Sequence, residues 1–342
     1  MLREFLDRNP KFVKKTLERD VQSIFRDLDL DKDNSIGVRE FDDQFNERQL
    51  VYGITVNRTD KRITIFFRGS VEGNRDWPTN LNAVYKTLKV PTELVAEEFL
   101  LQEGKEIKVH RGFHAYLNEK LYETTGRRLR PFDRLVDTLT PSSDEAQKRT
   151  KFRDIENNLK SILSKDEFKD YSVYISGHSL GGALSQLLAY QLASNGEMSD
   201  FNNATPITAV TFASPRVGND GFRQAFERLE QKGLVRHIRV SNEGDLVPVS
   251  FPGFGYTQTG LNLHVSKEDM DVGYNVDTKF KSQAWYGLKH ITKGSNVVED
   301  FLNHHSPDEY YANLFETTSG FNKEILSTKT VEDLYNEYVN LN

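Results

Sequence analysis

The sequence predicts an α/β fold with a mostly parallel central sheet flanked by helices. Three apolar, β-branched runs have the length of buried strands, and two helical patterns separate them. The strands are predicted at 171–176, 207–212 and 235–240, and the helices at 182–194 and 219–232. Strand, helix, strand, helix, strand is the order typical of a parallel sheet with crossover helices.

Upstream of these elements, two further β-rich runs predict a hairpin. Residues 51–56 and 62–67 are rich in β-branched and aromatic side chains, and a polar turn separates them. Before residue 49 the chain is instead dense in charge and follows a helical pattern. We therefore predict a small helical module over residues 1–49 and a larger α/β domain over residues 50–342.

Composition and charge exclude several classes of protein. The 342 residues carry 45 basic and 51 acidic side chains, a net charge of -6, so nothing in the overall charge suggests a nucleic-acid partner. The absence of cysteine excludes disulfides, thiolate nucleophiles and cysteine-ligated zinc. The charged N-terminal segment does not resemble a signal peptide, and the longest uncharged stretch, 171–196, fits a buried strand and helix better than a membrane span. We expect a cytoplasmic protein or one exported by a non-Sec route.

A G-x-S-x-G pattern lies at the junction between the strand at 171–176 and the helix that follows. Here it reads Gly177-His178-Ser179-Leu180-Gly181. A tight strand-to-helix turn forces the serine into a strained backbone conformation, and the two glycines relieve clashes around the turn. Ser179 would then present its hydroxyl at the N-terminus of the helix, above the carboxyl ends of the strands. We predict that Ser179 is a nucleophile.

A serine nucleophile needs a base and an orienting carboxylate, in the order Ser, Asp, His for a sheet of this kind. Asp245 follows the strand at 235–240 and so comes at the carboxyl end of a sheet strand, with Glu243 as the alternative acid. The base has several candidates because the chain has eight histidines. His305, just before a helix that Pro307 can start, is the first choice for the base. The alternatives are His304, His264 and His290; His237 lies within a strand, where a structural role is expected.

Two backbone amides are predicted to stabilise the negative charge that develops during attack. One belongs to Leu180, directly after the nucleophile. The other belongs to Ser70, where the strand at 62–67 runs into Arg68-Gly69-Ser70. Amides at such positions form an oxyanion hole.

Several segments of the chain resemble one family in both order and spacing. They are FFRGS at 66–70, VHRGF at 109–113, YISGHSLGGALSQLLA at 174–189, VTFASPRVGN at 210–219, IRVSNEGDLVPVSFP at 238–252 and HSPDEYYANL at 305–314. Together they resemble the class 3 lipases, the fungal triacylglycerol-lipase type of α/β-hydrolase.

The resemblance implies hydrolysis of carboxylic esters of lipids through Ser179, Asp245 and His305, with transient contact to a lipid surface. It also implies Ser70 and Leu180 as the oxyanion pair and favours His305 over His304. The family includes triacylglycerol, diacylglycerol and phospholipid hydrolases and esterases of smaller acids, which these residues do not separate. The lack of cysteine pairs and a basic insertion at 122–153 differ from the secreted fungal members. The alternatives are a soluble carboxylesterase and a calcium-responsive scaffold on an inactive lipase fold.

The segment after Ser70 carries an apolar stripe at helical spacing. It consists of Trp77, Leu81, Val84, Tyr85 and Leu88. The stripe predicts a helix within residues 71–90, which would serve either as a mobile lid over the site or as an ordinary core-packing helix.

An acidic segment near the N-terminus resembles a single EF-hand loop. Its candidate calcium ligands are Asp29, Asp31, Asp33, Ser35 and Glu40. The spacing supplies carboxylates at loop positions 1, 3 and 5, a carbonyl at position 7 and a two-oxygen carboxylate at position 12. Asn34 stands where the pattern expects glycine, and asparagine tolerates the required positive φ better than most residues. We predict bound Ca2+ that the triad chemistry does not need.

Overall fold

The computed structural model describes ten ranges of the chain. They are residues 36–42, 52–69, 84–89, 106–118, 150–195, 206–249, 255–266, 270–274, 303–316 and 328–338. Trp77 and Leu81 of the predicted lid, most of the 122–153 insertion and His290 lie outside these ranges, as do Asp29, Asp31, Asp33, Ser35 and Ser70.

Eight strands of the described ranges form one mixed sheet. From one edge to the other they are Ile36–Asp42 (β1), Tyr52–Asn57 (β2), Arg62–Phe67 (β3), Ser172–His178 (β6), Ile207–Phe212 (β7), Val235–Asn242 (β9), Leu261–Val265 (β11) and Met270–Tyr274 (β12). The pairings from β3 through β11 are parallel, and those at the two edges are antiparallel. These pairings confirm the predicted α/β class, its three parallel strands and the hairpin of β2 with β3. Parallel neighbours need crossover connections, which is why the alternation of strands and helices in the sequence indicated them.

The two predicted crossover helices begin close to where the pattern placed them, as Leu180–Ala193 (α3) and Asp220–Gln231 (α4). A further described helix, Lys151–Leu163 (α2), precedes β6 and had no predicted bounds. Thr150 accepts a hydrogen bond from the backbone N–H of Arg153 at the start of α2. Asn219 does the same for Phe222 at the start of α4. Such side-chain oxygens satisfy amides that have no acceptor within the helix.

The helix α3 follows the nucleophile motif and is almost wholly buried. Of its residues only Gln191 escapes burial, because the helix packs against β3, β6 and β7 on one side and against Arg111–Asn118 (α1) and α4 on others. The uncharged stretch at 171–196 is therefore a buried strand and a buried helix. No helix in the described part of the chain is both long and apolar enough to cross a membrane.

A second, small antiparallel sheet contains part of the predicted lid. Its strands are, in spatial order, Tyr256–Thr257 (β10), Gly218–Asn219 (β8), Lys108–His110 (β5) and Tyr85–Thr87 (β4). The helix predicted within residues 71–90 is thus wrong at 85–87, where the backbone pairs with β5. The Tyr85 ring stacks on the Tyr256 ring, with 4.5 Å between centroids. Helical spacing in a short apolar run does not exclude a strand when tertiary pairing favours one.

The C-terminal part of the chain packs on β9 and β11. Its described elements are Pro307–Tyr311 (α5), the π-helical turn Ala312–Glu316 and Val331–Tyr338 (α6). Tyr310, Leu314 and Leu334 join the apolar residues of β9 and β11 in one buried cluster. The Tyr335 hydroxyl contacts both the backbone of His237 in β9 and the carboxylate of Glu230. These contacts attach α6 to the strand that leads to the candidate acid.

The strand β1 lies inside the range for which the sequence predicts a helical module. It pairs antiparallel with β2 and is the edge strand of the main sheet, so the backbone at 36–42 is extended and not helical. Ile36 and Val38 are β-branched residues two positions apart, a spacing that favours a strand. Glu40 lies within this strand, whereas the EF-hand pattern would place it at the beginning of a helix.

Candidate active site

Ser179 occupies a strained turn between β6 and α3. Its backbone has φ 57° and ψ -123°, a conformation that non-glycine residues rarely adopt. Its N–H donates to the carbonyl of Phe212 at 2.9 Å, which attaches the turn to the end of β7. Strain of this kind costs about 1–3 kcal/mol and persists only where the surrounding structure holds it. In this conformation the hydroxyl of Ser179 accepts no hydrogen bond from the amides at the start of α3.

The two glycines of the motif are required by close backbone approach. A Cβ on Gly177 would overlap the backbone of Gly181, and a Cβ on Gly181 would lie 2.5 Å from the carbonyl oxygen of Phe67 in β3. Real Cβ atoms do not approach other atoms this closely, so neither position accepts a side chain without a shift of the backbone. The glycines therefore allow β6, α3 and β3 to converge beneath the nucleophile, as the sequence argument expected.

His305 lies between Ser179 and Asp245 and hydrogen-bonds to both. Its Nε2 is 2.8 Å from the hydroxyl of Ser179, and its Nδ1 is 3.0 Å from Oδ2 of Asp245. Because a carboxylate only accepts, Nδ1 carries the hydrogen and Nε2 presents a lone pair to the serine hydroxyl. All three side chains are buried. The structure thus brings together the three residues predicted as nucleophile, base and acid.

Asp245 is held by donors other than the imidazole. It follows β9 after a turn in which Gly244 has φ 85°, and its Oδ1 accepts from the N–H of Val247 at 2.9 Å. Its Oδ2 also accepts from the hydroxyl of Tyr310 at 2.7 Å. These partners hold the fully buried carboxylate in its orientation toward His305.

Tyr310 is a site residue to which the sequence argument assigned no role. Its hydroxyl accepts from the N–H of Asn242 at 3.0 Å while it donates to Asp245. Burial and the nearby charge of Asp245 raise the pKa of Tyr310 well above its usual value, so the phenol remains a donor. The only signal in the sequence is its place one helical turn after Ser306, the residue whose side chain caps α5.

His178, within the motif itself, also contacts the base. Its Nε2 is 2.8 Å from the backbone carbonyl oxygen of His305, and the two rings lie 4.8 Å apart. Burial, helped by the neighbouring His305, lowers the pKa of His178 to about 4. At neutral pH its ring is therefore uncharged.

Lowering the pH from about 7 to about 4 is expected to reduce the free energy of unfolding, partly through His178. The pKa values of His178 and His237 lie below the ordinary 6.5 because both rings are desolvated, so in this range the unfolded chain binds protons that the folded chain does not. Each such proton gives a slope of about 1.4 kcal/mol per pH unit, with stability lost as the pH falls. Urea unfolding across this range should show a shallower dependence in His178→Gln. Parallel curves for the variant and the wild type would contradict this assignment.

Only one of the two predicted oxyanion donors lies within the described residues. Leu180 is the first residue of α3, where amides have no acceptor within the helix, and it directly follows Ser179. Ser70 lies outside the described ranges, but Gly69 before it is packed against the nucleophile elbow, the turn at residues 177–181 that carries Ser179. A Cβ on Gly69 would lie 3.1 Å from the carbonyl oxygen of His178.

The other histidines of the described ranges that the sequence analysis weighed have contacts of their own. His304 is packed against Gly244, and its Nδ1 is 4.0 Å from the carboxylate of Glu309. His264 contacts the hydroxyl of Ser241 at 3.0 Å. His237 is fully buried and hydrogen-bonds through both ring nitrogens to Thr211 and Thr259, the structural role expected of it.

The candidate calcium ligands cannot be assembled from the described residues. Glu40 is the one candidate whose backbone is described, in β1. Among the side chains of the described ranges, no group of three or more acidic, histidine or cysteine residues could hold a metal ion. The calcium loop therefore stays a prediction from the sequence.

The sequence is similar to those of known proteins. Residues 64–254 match the family described as Lipase (class 3). Phospholipase A1-II 4 of Oryza sativa subsp. japonica is 40% identical over 127 residues, which cover 36% of this chain and 31% of that protein. Phospholipase A1-IIgamma of Arabidopsis thaliana is 37% identical over 125 residues, which cover 35% of this chain and 29% of that protein. The matches therefore span about a third of the length of these relatives.

A solved structure supports the fold. Lipase II from Rhizopus niveus superimposes with a TM-score of 0.50 at 18% identity, covering 79% of each chain. At this identity the likeness concerns the arrangement of strands and helices alone.

Proposed function

This chain belongs to the class 3 lipase family, and from that membership we propose that it is a serine hydrolase of carboxylic esters in lipids. The proposed reaction is that of a triacylglycerol or diacylglycerol lipase or of a phospholipase of the A1 type. The observation that carries the proposal is the continuous hydrogen bonding from Ser179 through His305 to Asp245. The similarity to plant proteins named phospholipase A1 supports phospholipids as substrates to be tested first.

In the proposed acylation step, the Ser179 oxygen attacks the ester carbonyl carbon while Nε2 of His305 takes the hydroxyl proton. The imidazolium that forms is stabilised by Asp245, whose charge is held in place by Val247 and Tyr310. The tetrahedral intermediate then collapses, the bond to the alcohol oxygen breaks, and His305 returns the proton to the leaving alcohol. Ser179 is left esterified to the fatty acid.

In the proposed deacylation step, water replaces the alcohol in the same geometry. His305 takes a proton from the water as it attacks the acyl carbonyl, and the proton then returns to Ser179 as the acid departs. In both steps we assign the developing oxyanion to the amides of Leu180 and Ser70. Losing one such donor typically costs about 10² to 10³ in kcat.

A substrate series tests the proposal. We expect kcat/KM to rise from short water-soluble esters to emulsified glycerides and phosphatidylcholine vesicles, and a fluorophosphonate probe to label Ser179. Activity confined to short soluble esters would favour a soluble carboxylesterase. A folded protein that binds vesicles but cleaves no ester and takes up no probe would favour the scaffold alternative. Contact with lipid surfaces and a cytoplasmic location stay predictions beside this proposal.

We also propose that the acidic N-terminal loop binds calcium independently of the ester chemistry. Asp29, Asp31, Asp33 and Glu40 place four carboxylates within twelve residues, and a cation would remove their mutual repulsion. Because Glu40 lies in a strand here, binding in the EF-hand manner requires the backbone at 36–42 to change.

Calcium is therefore expected to raise both the unfolding temperature and the helix content of the chain. At a hundredfold excess over the dissociation constant the gain in stability is about 2.7 kcal/mol. Glu40→Gln should remove most of this gain and leave hydrolysis of short esters unchanged. Titration calorimetry with calcium chloride and circular dichroism measure the two effects. Absence of binding at millimolar calcium would reject the EF-hand interpretation.

A further inference from the structure

The side chain of His178, within the elbow, reaches the backbone of the loop that carries the base. Its Nε2 lies 2.8 Å from the backbone carbonyl oxygen of His305. Ser179, the next residue, contacts the Nε2 atom of the same His305. Two consecutive residues of the elbow therefore contact the main chain and the side chain of one partner 126 or 127 positions away.

The chemistry of this contact defines which atom donates. A carbonyl oxygen only accepts, so Nε2 of His178 carries the hydrogen. The ring is uncharged at neutral pH because burial lowers the pKa of His178 to about 4. A neutral donor can hold the carbonyl of His305 without placing a second positive charge beside the imidazolium that His305 forms during the reaction.

The carbonyl that His178 contacts belongs to the peptide that joins the base to Ser306. Ser306, which follows it, caps α5, and its side chain accepts from the N–H of Glu309. The peptide between His305 and Ser306 is thus restrained by the helix on one side and by His178 on the other. The His178 ring also lies against Tyr310, with 5.8 Å between centroids and the rings nearly perpendicular. These contacts restrain the backbone that carries the imidazole of His305.

The other ring nitrogen of His178 lies near Gly69, the residue before the predicted oxyanion donor Ser70. A Cβ on Gly69 would lie 3.6 Å from this Nδ1 atom. The ring therefore lies between the end of β3 and the turn at His305.

We propose that His178 is a positioning residue for the proposed ester hydrolysis, which holds the backbone of His305 so that Nε2 of the base stays aligned with the hydroxyl of Ser179. This inference rests on the proposed function. His178 itself touches neither the ester nor the transferred proton. Its effect should appear in the rate of chemistry and not in the binding of substrate.

Two substitutions separate positioning from packing. His178→Phe keeps a flat ring of similar size but removes the donor, whereas the side-chain amide of His178→Gln can donate from nearly the same position as Nε2. We expect His178→Phe to lower kcat, and the rate of labelling by a fluorophosphonate, by about 10- to 100-fold with KM unchanged. His178→Gln should recover most of both rates. His114→Phe, the same change at a histidine on α1, is the matched control and should leave both rates unchanged.

The measurements are steady-state kinetics on a short soluble ester, the labelling rate and the melting temperature of each variant. Wild-type kcat in His178→Phe would overturn the inference. Equal losses in the Phe and Gln variants that follow their melting temperatures would also overturn it, because they indicate packing alone. A folded wild-type protein that neither cleaves the ester nor reacts with the probe would instead reject the proposed function.

Discussion

Replacing Ser179 with alanine is expected to abolish ester hydrolysis, with a loss in kcat on the order of 10⁶-fold. The attacking oxygen is the one atom that the substitution removes, and the buried pair of His305 with Asp245 remains in place. Hydrolysis of a short chromogenic ester measures the loss. Mass spectrometry after treatment with a fluorophosphonate should find the probe on Ser179 in the wild type and no probe in the variant.

A second variant at the same position controls for the fold. Ser179→Gly should be equally inactive but more stable than Ser179→Ala by about 1 kcal/mol or more, because glycine adopts the φ of 57° without strain. Chemical denaturation of the two variants measures this difference. Substantial hydrolysis by either variant would move the nucleophile to another residue.

Replacing His305 with alanine is expected to remove nearly as much activity as the loss of Ser179. Without the imidazole, no group takes the hydroxyl proton, and members of one catalytic unit fail together rather than additively. His304→Ala is the matched control, since the neighbouring ring is packed against Gly244 and its Nδ1 lies 4.0 Å from the carboxylate of Glu309. Its effect on kcat should be small.

The double variant Ser179→Ala/His305→Ala provides a further check. Its residual rate should equal that of Ser179→Ala alone, because the base has no role once the nucleophile is absent. If His304→Ala instead caused the large loss and His305→Ala the small one, the base would have to be reassigned to His304.

The nucleophile and the acid were predictable because the order of a parallel sheet constrains them. A strand that runs directly into a helix presents the residue at their junction at the carboxyl edge of the sheet, which is where Ser179 lies. Asp245 follows β9, a strand two places along in the same sheet, and so reaches the same edge. The G-x-S-x-G pattern, the order Ser, Asp, His and the strand-helix alternation together were enough to predict both residues at this edge.

The base was harder to predict because no strand carries it. His304 and His305 are neighbours before a short helix, and the backbone of one turn decides which ring faces Ser179. The partners of Tyr310 and His178 were also missed, because these contacts join residues that are 65 and 127 positions apart. Local sequence patterns do not indicate contacts between residues so far apart in the chain.

Two elements were predicted with the wrong local structure, for a related reason. The apolar residues Val84, Tyr85 and Leu88 fit a helical stripe, but pairing with β5 makes 85–87 a strand. The segment at 36–42 lies in a charged region with a helical pattern, yet it pairs with β2. Short runs fit more than one periodicity, and the neighbouring strand decides between them.

The distances along the chain between the site residues also affect how activity returns after denaturation. Ser179 and His305 are 126 positions apart, and His305 and Asp245 are 60 apart, so the entropy of closing both long loops must be overcome before the base meets its partners. The elbow, in contrast, is formed by adjacent elements. During refolding, circular dichroism should therefore recover before reactivity toward a fluorophosphonate does. The interval between the two signals reports the docking of the C-terminal helices on β9 and β11.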